Sequence, residues 1–249
     1  MPFSIRRSMA ITFRSLLFYL SFALWTAFWA VVMLPFFLLP DSAKIWGCRT
    51  WAVASTGLLG KICRIRLVVR GEENIPSGPC VIVANHQSAM ETLLLWRFFP
   101  RISFVLKEEL LKIPVLGWYL PFSWPIAINR QSGKRALGEI LEEGNRRLKA
   151  GYPVLIFPEG TRQECGSLGS FHQTGVALAQ KAGVPLLPLA LNTGCFWPRN
   201  DWRKYPGTVH LHFGNPRNPE GRSAEINREI HAWIRSVLVT LPRRQSGAS

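Results

Sequence analysis

The sequence predicts an α/β protein: a mixed, largely parallel sheet flanked by helices, behind an N-terminal membrane-embedded helical segment. Three observations predict it. Residues 15–40 read SLLFYLSFALWTAFWAVVMLPFFLLP, without a charged side chain. Seven short apolar runs then recur between residues 65 and 213, the length and composition of buried strands. Helical patterns lie between several of them, an alternation that builds a sheet covered on both faces.

The apolar N-terminal run comes first. About 25 helical residues reach roughly 37 Å, against a hydrocarbon thickness of about 30 Å. A cleavable signal peptide has a shorter apolar centre and a small-residue cleavage site, and neither is present. Arg6, Arg7 and Arg14 precede the run, and Lys44, Arg49, Lys61, Arg64, Arg66 and Arg70 follow it. Basic residues mark the cytoplasmic side, so both flanks qualify. Residues 51–60 are too short an apolar stretch to return as a full span. The sequence therefore predicts a hairpin or tilted helix pair in one leaflet, with Trp46, Arg49, Trp51 and Lys61 at headgroup level; a plain single span is the alternative.

From residue 65 the pattern is that of a soluble domain. Strands are expected at 65–69, 80–84, 102–106, 125–128, 154–157, 186–191 and 209–213. The clearest helix covers 132–149, with Ser132 as its cap and Ala136, Leu137, Ile140, Leu141 and Leu148 as its apolar face. Gly151 then supplies its stop. Further helices are expected at 173–182 and 224–238. The organisation is thus an anchor over 1–64, a domain over 65–241 and a disordered tail over 242–249, without internal repeats.

At 249 residues, 48% hydrophobic and only 18% charged, the chain can bury one sizeable core and is not a disordered protein. A net charge of +15 calls for an anionic partner: nucleic acid, anionic lipid or a small phosphorylated substrate. Its basic residues are spread along the chain and no nucleic-acid-binding motif is present, so nucleic acid is not an expected partner. Cys48, Cys63, Cys80, Cys165 and Cys195 form no CxxC pair, and reduced thiols in a cytosolic-type compartment are expected.

Residues 81–92, VIVANHQSAMET, end a strand abruptly in Asn85-His86, with Glu91 five residues after the histidine. Histidine is the usual general base near neutral pH, and a carboxylate can fix its tautomer. The competing reading is structural: Ser88-Ala89-Met90-Glu91 fits an S-x-x-E capping box, and Asn85 and His86 can satisfy backbone groups at the strand end. A second stretch follows the run Val154-Leu155-Ile156-Phe157: Pro158-Glu159-Gly160-Thr161-Arg162. Glycine allows a tight turn there, and the arginine offers a planar fork for a phosphate. Both stretches lie just past strands, where open α/β sheets collect ligands.

Four blocks, in order over roughly residues 65–192, make the chain resemble the glycerolipid acyltransferases, and specifically the 1-acyl-sn-glycerol-3-phosphate acyltransferases. The first is Asn85-His86-Gln87-Ser88-Ala89-Met90-Glu91, similar to an NHxSxxD-type motif. The second runs from Lys107-Glu108-Glu109-Leu110 through Pro114 and Gly117 to Ile128-Asn129-Arg130. The third is Phe157-Pro158-Glu159-Gly160-Thr161-Arg162, and the fourth Val184-Pro185-Leu186-Leu187-Pro188-Leu189. The resemblance implies a glycerol-phosphate acyltransferase-like fold, with His86 as general base and Glu91 as its orienting carboxylate. Glu159, Gly160, Thr161 and Arg162, helped by Lys107 and Arg130, would bind the glycerol phosphate; the fourth block would shape the acyl or acceptor pocket. The acceptor would be lysophosphatidate, acylated at its sn-2 hydroxyl to phosphatidate by direct attack on an acyl thioester of acyl carrier protein or coenzyme A. The active domain would face the cytoplasm at a lipid membrane. Glu91 departs from the family's usual aspartate by one methylene, which leaves the geometry of the pair open.

Other polar residues carry less. His210 and His212 share a strand face without a third ligand, so neither a metal nor a cofactor is expected. His172 and His231 read as surface or packing residues, and a transfer without an enzyme nucleophile gives Cys165 no task. The rival functions are acylation of another lysolipid, such as lyso-ornithine lipid, and non-catalytic binding of anionic lipid. The joint presence of His86, Glu91, Glu159 and Arg162 argues against the second.

Overall fold

A computed structural model describes residues 2–129 and 132–244, with side chains from Arg6 onward. Its elements in chain order are α1 (Pro2–Val32), α2 (Asp41–Cys63), β1 (Ile65–Arg70), β2 (Val81–Ala84), α3 (Met90–Leu94), β3 (Ser103–Lys107), α4 (Leu116–Tyr119), β4 (Ile126–Ile128), α5 (Lys134–Lys149), β5 (Val154–Ile156), α6 (Thr174–Ala182), β6 (Leu186–Leu191), β7 (Gly207–Phe213) and α7 (Ser223–Thr240). The strands form one sheet in the order β1-β7-β6-β2-β5-β3-β4. Every neighbouring pair is parallel except β6 and β7. Two strands, β1 and β7, therefore run against the other five.

β2, β5 and β6 are buried along their whole length, which is why their sequences are continuous apolar runs and not alternating ones. One core layer lies between the sheet and the α1–α2 pair, joining Ala52 and Leu59 of α2 to Ile82, Leu155, Leu187 and Leu211. The opposite layer packs α5, α6 and α7 on Val81, Val83, Ile156 and Ala190. Burying one side chain of this size contributes about 1.5–3 kcal/mol, so α2 is held to the sheet by core burial as much as any soluble-domain helix.

α1 holds one helix long and apolar enough to cross a membrane, over Arg6–Val32. Its Ile11, Ser15 and Phe18 face inward, whereas Met9, Phe13, Leu16, Leu20, Leu24, Phe28 and Val31 form an exposed apolar stripe. The connection at Leu34–Leu38 is a 3₁₀ turn and α2 packs back along α1. Tryptophans cross-link the pair: Trp25 Nε1 donates to the Trp51 carbonyl (3.3 Å), Trp29 Nε1 to the Gly47 carbonyl (3.0 Å) and Trp51 Nε1 to Thr26 Oγ1 (3.1 Å). Lys204, buried at 0% exposure, ties α1 to the domain, its ammonium over the Tyr19 and Trp197 rings and its backbone N–H on Ser15 Oγ (2.8 Å).

Several local expectations need correction. Ser132 does not cap α5: the N-cap is Gly133, and Ser132 Oγ donates to the Asn129 carbonyl (2.7 Å). The α5 face is rotated so that Leu137 is exposed and Gly144 is buried, because a side chain at Gly144 would collide with Leu178 of α6. Cys165 and Cys195 form a disulfide with Cα atoms 4.7 Å apart, while Cys48, Cys63 and Cys80 are free. The loops after β5 and β6 meet at one end of the sheet and bring together cysteines 30 residues apart, a proximity that spacing along the chain does not encode. Arg130 and residues 245–249 of the expected tail lie outside the described residues.

Candidate active site

Three adjacent parallel strands, β6, β2 and β5, end side by side. The loops that leave them, after Ala84, Ile156 and Leu191, therefore converge on one edge of the sheet. Asn85 splints this edge: its Nδ2 donates to the Leu191 carbonyl (2.9 Å) and its Oδ1 accepts from the Leu191 N–H (3.0 Å). The structural reading of Asn85 is therefore the one observed, and it fixes where the next residue, His86, emerges.

His86 Nδ1 lies 2.6 Å from Glu91 Oε2. Glu91 is fully buried, and its other oxygen accepts from the Gln87 N–H (2.8 Å), the Ser88 N–H (2.7 Å) and Thr193 Oγ1 (2.5 Å). An ionised carboxylate only accepts, so Nδ1 carries the proton and Nε2 is left as the basic nitrogen. Four hydrogen bonds hold this buried carboxylate in one position. The imidazole stacks on Phe157, with ring centroids 3.9 Å apart and planes 12° from parallel.

Base and cap are not alternatives here. Glu91 in the first turn of α3 reaches back to the Ser88 N–H as a capping-box glutamate does, and the same carboxylate takes the histidine. The serine half differs from the expected box. Ala89 is the N-cap, and Ser88 Oγ accepts from the Met90 N–H (3.1 Å).

The PEGTR turn divides its labour differently from what the resemblance implied. Glu159 Oε1 accepts from the His86 N–H (2.7 Å) and Oε2 from the Gly169 N–H (2.7 Å), so its carboxylate is occupied by backbone under the histidine. Burial pushes this carboxyl up to about 7, against the pull of those two N–H groups. The His86 carbonyl accepts from the Gln163 N–H (2.7 Å), so the turn grips both sides of the histidine peptide. His231 Nε2 meets the Gly169 carbonyl (3.0 Å) and supports that loop from behind. Gly160 sits at φ +67°, a conformation that glycine adopts without strain.

A cavity of about 750 Å³ opens beside His86. Its apolar part is built by the N-terminal pair and the segment around α4: Trp29, Ala30, Met33, Trp51, Leu116 and Tyr119 are among its walls. Its polar lining includes His86, Lys107, Gly160, Thr161, Arg162 and Arg199, with no acidic residue. Lys107, Arg162, Gly160 and Thr161 thus line the same cavity as His86, whereas Glu159 is not part of its lining. Arg130 lies outside the described residues. The fourth block forms β6, whose Pro188 and Leu189 pair with Val83 and Ala84 of β2.

Sequence reading missed Thr193, Arg199 and the α1–α2 wall. Thr193 and Arg199 follow the end of β6, so the strand-end rule that flagged His86 was a usable signal for them. The wall residues gave none, because an apolar anchor and an apolar cavity lining have the same composition. Among the described residues, no group of three His, Cys, Asp or Glu side chains is placed to hold a metal.

The sheet, the strand-end histidine–carboxylate pair and the long apolar cavity with cations in its lining define an acyltransferase. The acyltransferase family model matches residues 66–192, and the chain belongs to that family. It is 41% identical over 244 residues to a 1-acyl-sn-glycerol-3-phosphate acyltransferase of Pseudomonas aeruginosa, covering 95% of this chain and 94% of that protein. A human 1-acyl-sn-glycerol-3-phosphate acyltransferase, the beta form, is 33% identical over 131 residues, covering 52% of this chain and 47% of its own. The crystal structure of the 1-acyl-sn-glycerophosphate acyltransferase of Thermotoga maritima superposes with a TM-score of 0.77 at 30% identity, over 96% of this chain and 99% of that one.

Proposed function

We propose that this enzyme transfers an acyl group from a thioester donor to the sn-2 hydroxyl of lysophosphatidate, giving phosphatidate. One observation carries the reading: His86, Lys107 and Arg162 line one largely apolar cavity whose lining contains no carboxylate. An acyl chain fits the apolar part and a phosphate the cations, which brings a glycerol hydroxyl between them to the imidazole. The relatives from Pseudomonas aeruginosa and Thermotoga maritima, which this chain matches nearly end to end, are named for the same reaction.

His86 Nε2 takes the hydroxyl proton as the oxygen attacks the thioester carbonyl, and Glu91 stabilises the imidazolium that forms. Collapse of the tetrahedral intermediate breaks the C–S bond, and the proton passes from Nε2 to the departing thiolate. General-base action of this kind contributes about 10²–10⁴-fold. Glu159 acts at one remove, by fixing the peptide that carries the base. The lysophosphatidate phosphate sits on Arg162 and Lys107.

The exposed stripe of α1 and the return of α2 favour a helix pair lying in one leaflet, with the catalytic domain on the cytoplasmic face. Its lipids enter the cavity between those helices and the domain without leaving the membrane. A radiolabel transfer assay crossing acyl-coenzyme A and acyl carrier protein donors with lysophosphatidate, lyso-ornithine lipid and monoacylglycerol tests the reading. Lysophosphatidate should be the preferred acceptor, and His86→Ala should abolish turnover while vesicle flotation is unchanged. Turnover retained in that variant, or a preference for another acceptor, would overturn it.

A further inference from the structure

We propose that Arg199 is an additional phosphate ligand and sets the preference for phosphorylated over uncharged acceptors. The inference rests on the lysophosphatidate reading and extends it to a residue outside the four sequence blocks. Arg199 lies in the segment after β6, which crosses back over the PEGTR turn. Its Nη1 donates to Thr161 Oγ1 (3.1 Å) and to the Arg162 carbonyl (3.2 Å). Both oxygens are neutral, and Arg199 has no ion pair with a carboxylate among the described residues. A guanidinium carries five N–H donors in a fork, so Nε and Nη2 stay available to an anion.

The surroundings favour the anion. Arg199, Arg162 and Lys107 line the same cavity, whose lining contains no aspartate or glutamate. Cations gathered without a carboxylate repel one another unless an anion joins them, and a phosphate monoester brings close to two charges near neutral pH. Arg199 is also presented on a fixed piece of backbone. Cys195 is joined to Cys165, Trp197 packs against Phe18 and under the Lys204 ammonium, and the Tyr205 N–H donates to the Phe196 carbonyl (2.8 Å). A fork on rigid backbone loses little conformational freedom when it binds. The hydrogen bonds to Thr161 and Arg162 hold it against the turn that carries Arg162, and both arginines line the same cavity.

The test compares wild type, Arg199→Ala and Arg199→Lys with lysophosphatidate and with monoacylglycerol, which keeps the hydroxyl and lacks the phosphate. Loss of a charge-assisted contact should raise the lysophosphatidate KM of Arg199→Ala about 10–100-fold with little change in kcat. The monoacylglycerol KM should change far less than the lysophosphatidate KM, and Arg199→Lys should fall between wild type and Arg199→Ala. In parallel, glycerol 3-phosphate should protect wild type from thermal unfolding more than it protects Arg199→Ala. An unchanged lysophosphatidate KM overturns the proposal, as does an equal loss on monoacylglycerol, which marks Arg199 as a clamp on the turn. Wild type that ignores lysophosphatidate while Arg199 still governs protection by glycerol 3-phosphate refutes the acceptor and retains the phosphate site.

Discussion

Glu159→Gln separates the two roles open to the PEGTR glutamate, a ligand for substrate or a support for His86. Both carboxylate oxygens accept from backbone, Oε1 from His86 at 2.7 Å and Oε2 from Gly169 at 2.7 Å. An amide accepts at one oxygen only, so one buried N–H must face the new NH₂ group. An unmet buried donor costs about 1–3 kcal/mol. In a chain of this length that lowers Tm by roughly 2–12 °C. The displaced peptide carries His86, and a shift of about 1 Å in a catalytic group costs on the order of 10²-fold in rate. Saturation kinetics with lysophosphatidate should therefore show a large loss of kcat and little change in KM. A raised KM at unchanged kcat and Tm would refute the reasoning and return Glu159 to the substrate. The pH dependence gives a second check. Burial moves the carboxyl from 4.5 to about 7, so between these values the folded chain keeps a proton that the unfolded chain has released. Its contribution to stability is full below about 4.5 and declines by up to about 3 kcal/mol as pH rises through 7. A protonated carboxyl still accepts at both oxygens, so the Tm gap between wild type and Glu159→Gln should narrow with rising pH.

Thr193→Val removes one of the four hydrogen bonds on buried Glu91; at about 1.5–3 kcal/mol for a bond to a charged group, Tm should fall and kcat should drop about tenfold or more, read by thermal unfolding and saturation kinetics. Ala30→Phe fills the apolar end of the cavity, and at about 0.8 kcal/mol per excluded methylene the kcat/KM for long acyl donors should fall at least about tenfold while shorter donors are spared, which a chain-length series measures. The Cys165→Ser/Cys195→Ser double variant opens a 30-residue link; the chain-entropy relation gives about 3.6 kcal/mol, so the unreduced wild type should melt roughly 7–14 °C higher, with the gap closing in dithiothreitol. Five titratable thiols in the unreduced wild type would show that the link does not form.

Continuous apolar runs at β2, β5 and β6 announced buried parallel strands because both faces of those strands are covered, and the end of α5 followed from Gly151, placed where a helix must stop. The resemblance blocks named His86, Glu91 and Arg162 because the chemistry of each is carried by its own side chain. Glu159 was read as a substrate ligand, and its oxygens accept from two peptide N–H groups, since a carboxylate in a loop looks the same in sequence whether it holds a ligand or a peptide N–H. Leu137 and Gly144 exchanged places on α5 because close approach to Leu178 of α6 decides which residue can lie at the contact.

By itself, then, the sequence determined the sheet elements, the long apolar helix near the N-terminus and the acyltransferase family. These are local properties: hydrophobic period, segment length, and the donors and acceptors within one turn. Only the tertiary structure decided that Thr193 completes the Glu91 carboxylate's partners, that Arg199 joins Arg162, that Cys165 meets Cys195, and that the apolar helix pair walls the cavity. Each depends on three parallel strands ending together, which brings residues up to about 100 positions apart into contact. Contacts of that range are set by packing the whole core, and no short stretch of sequence contains them.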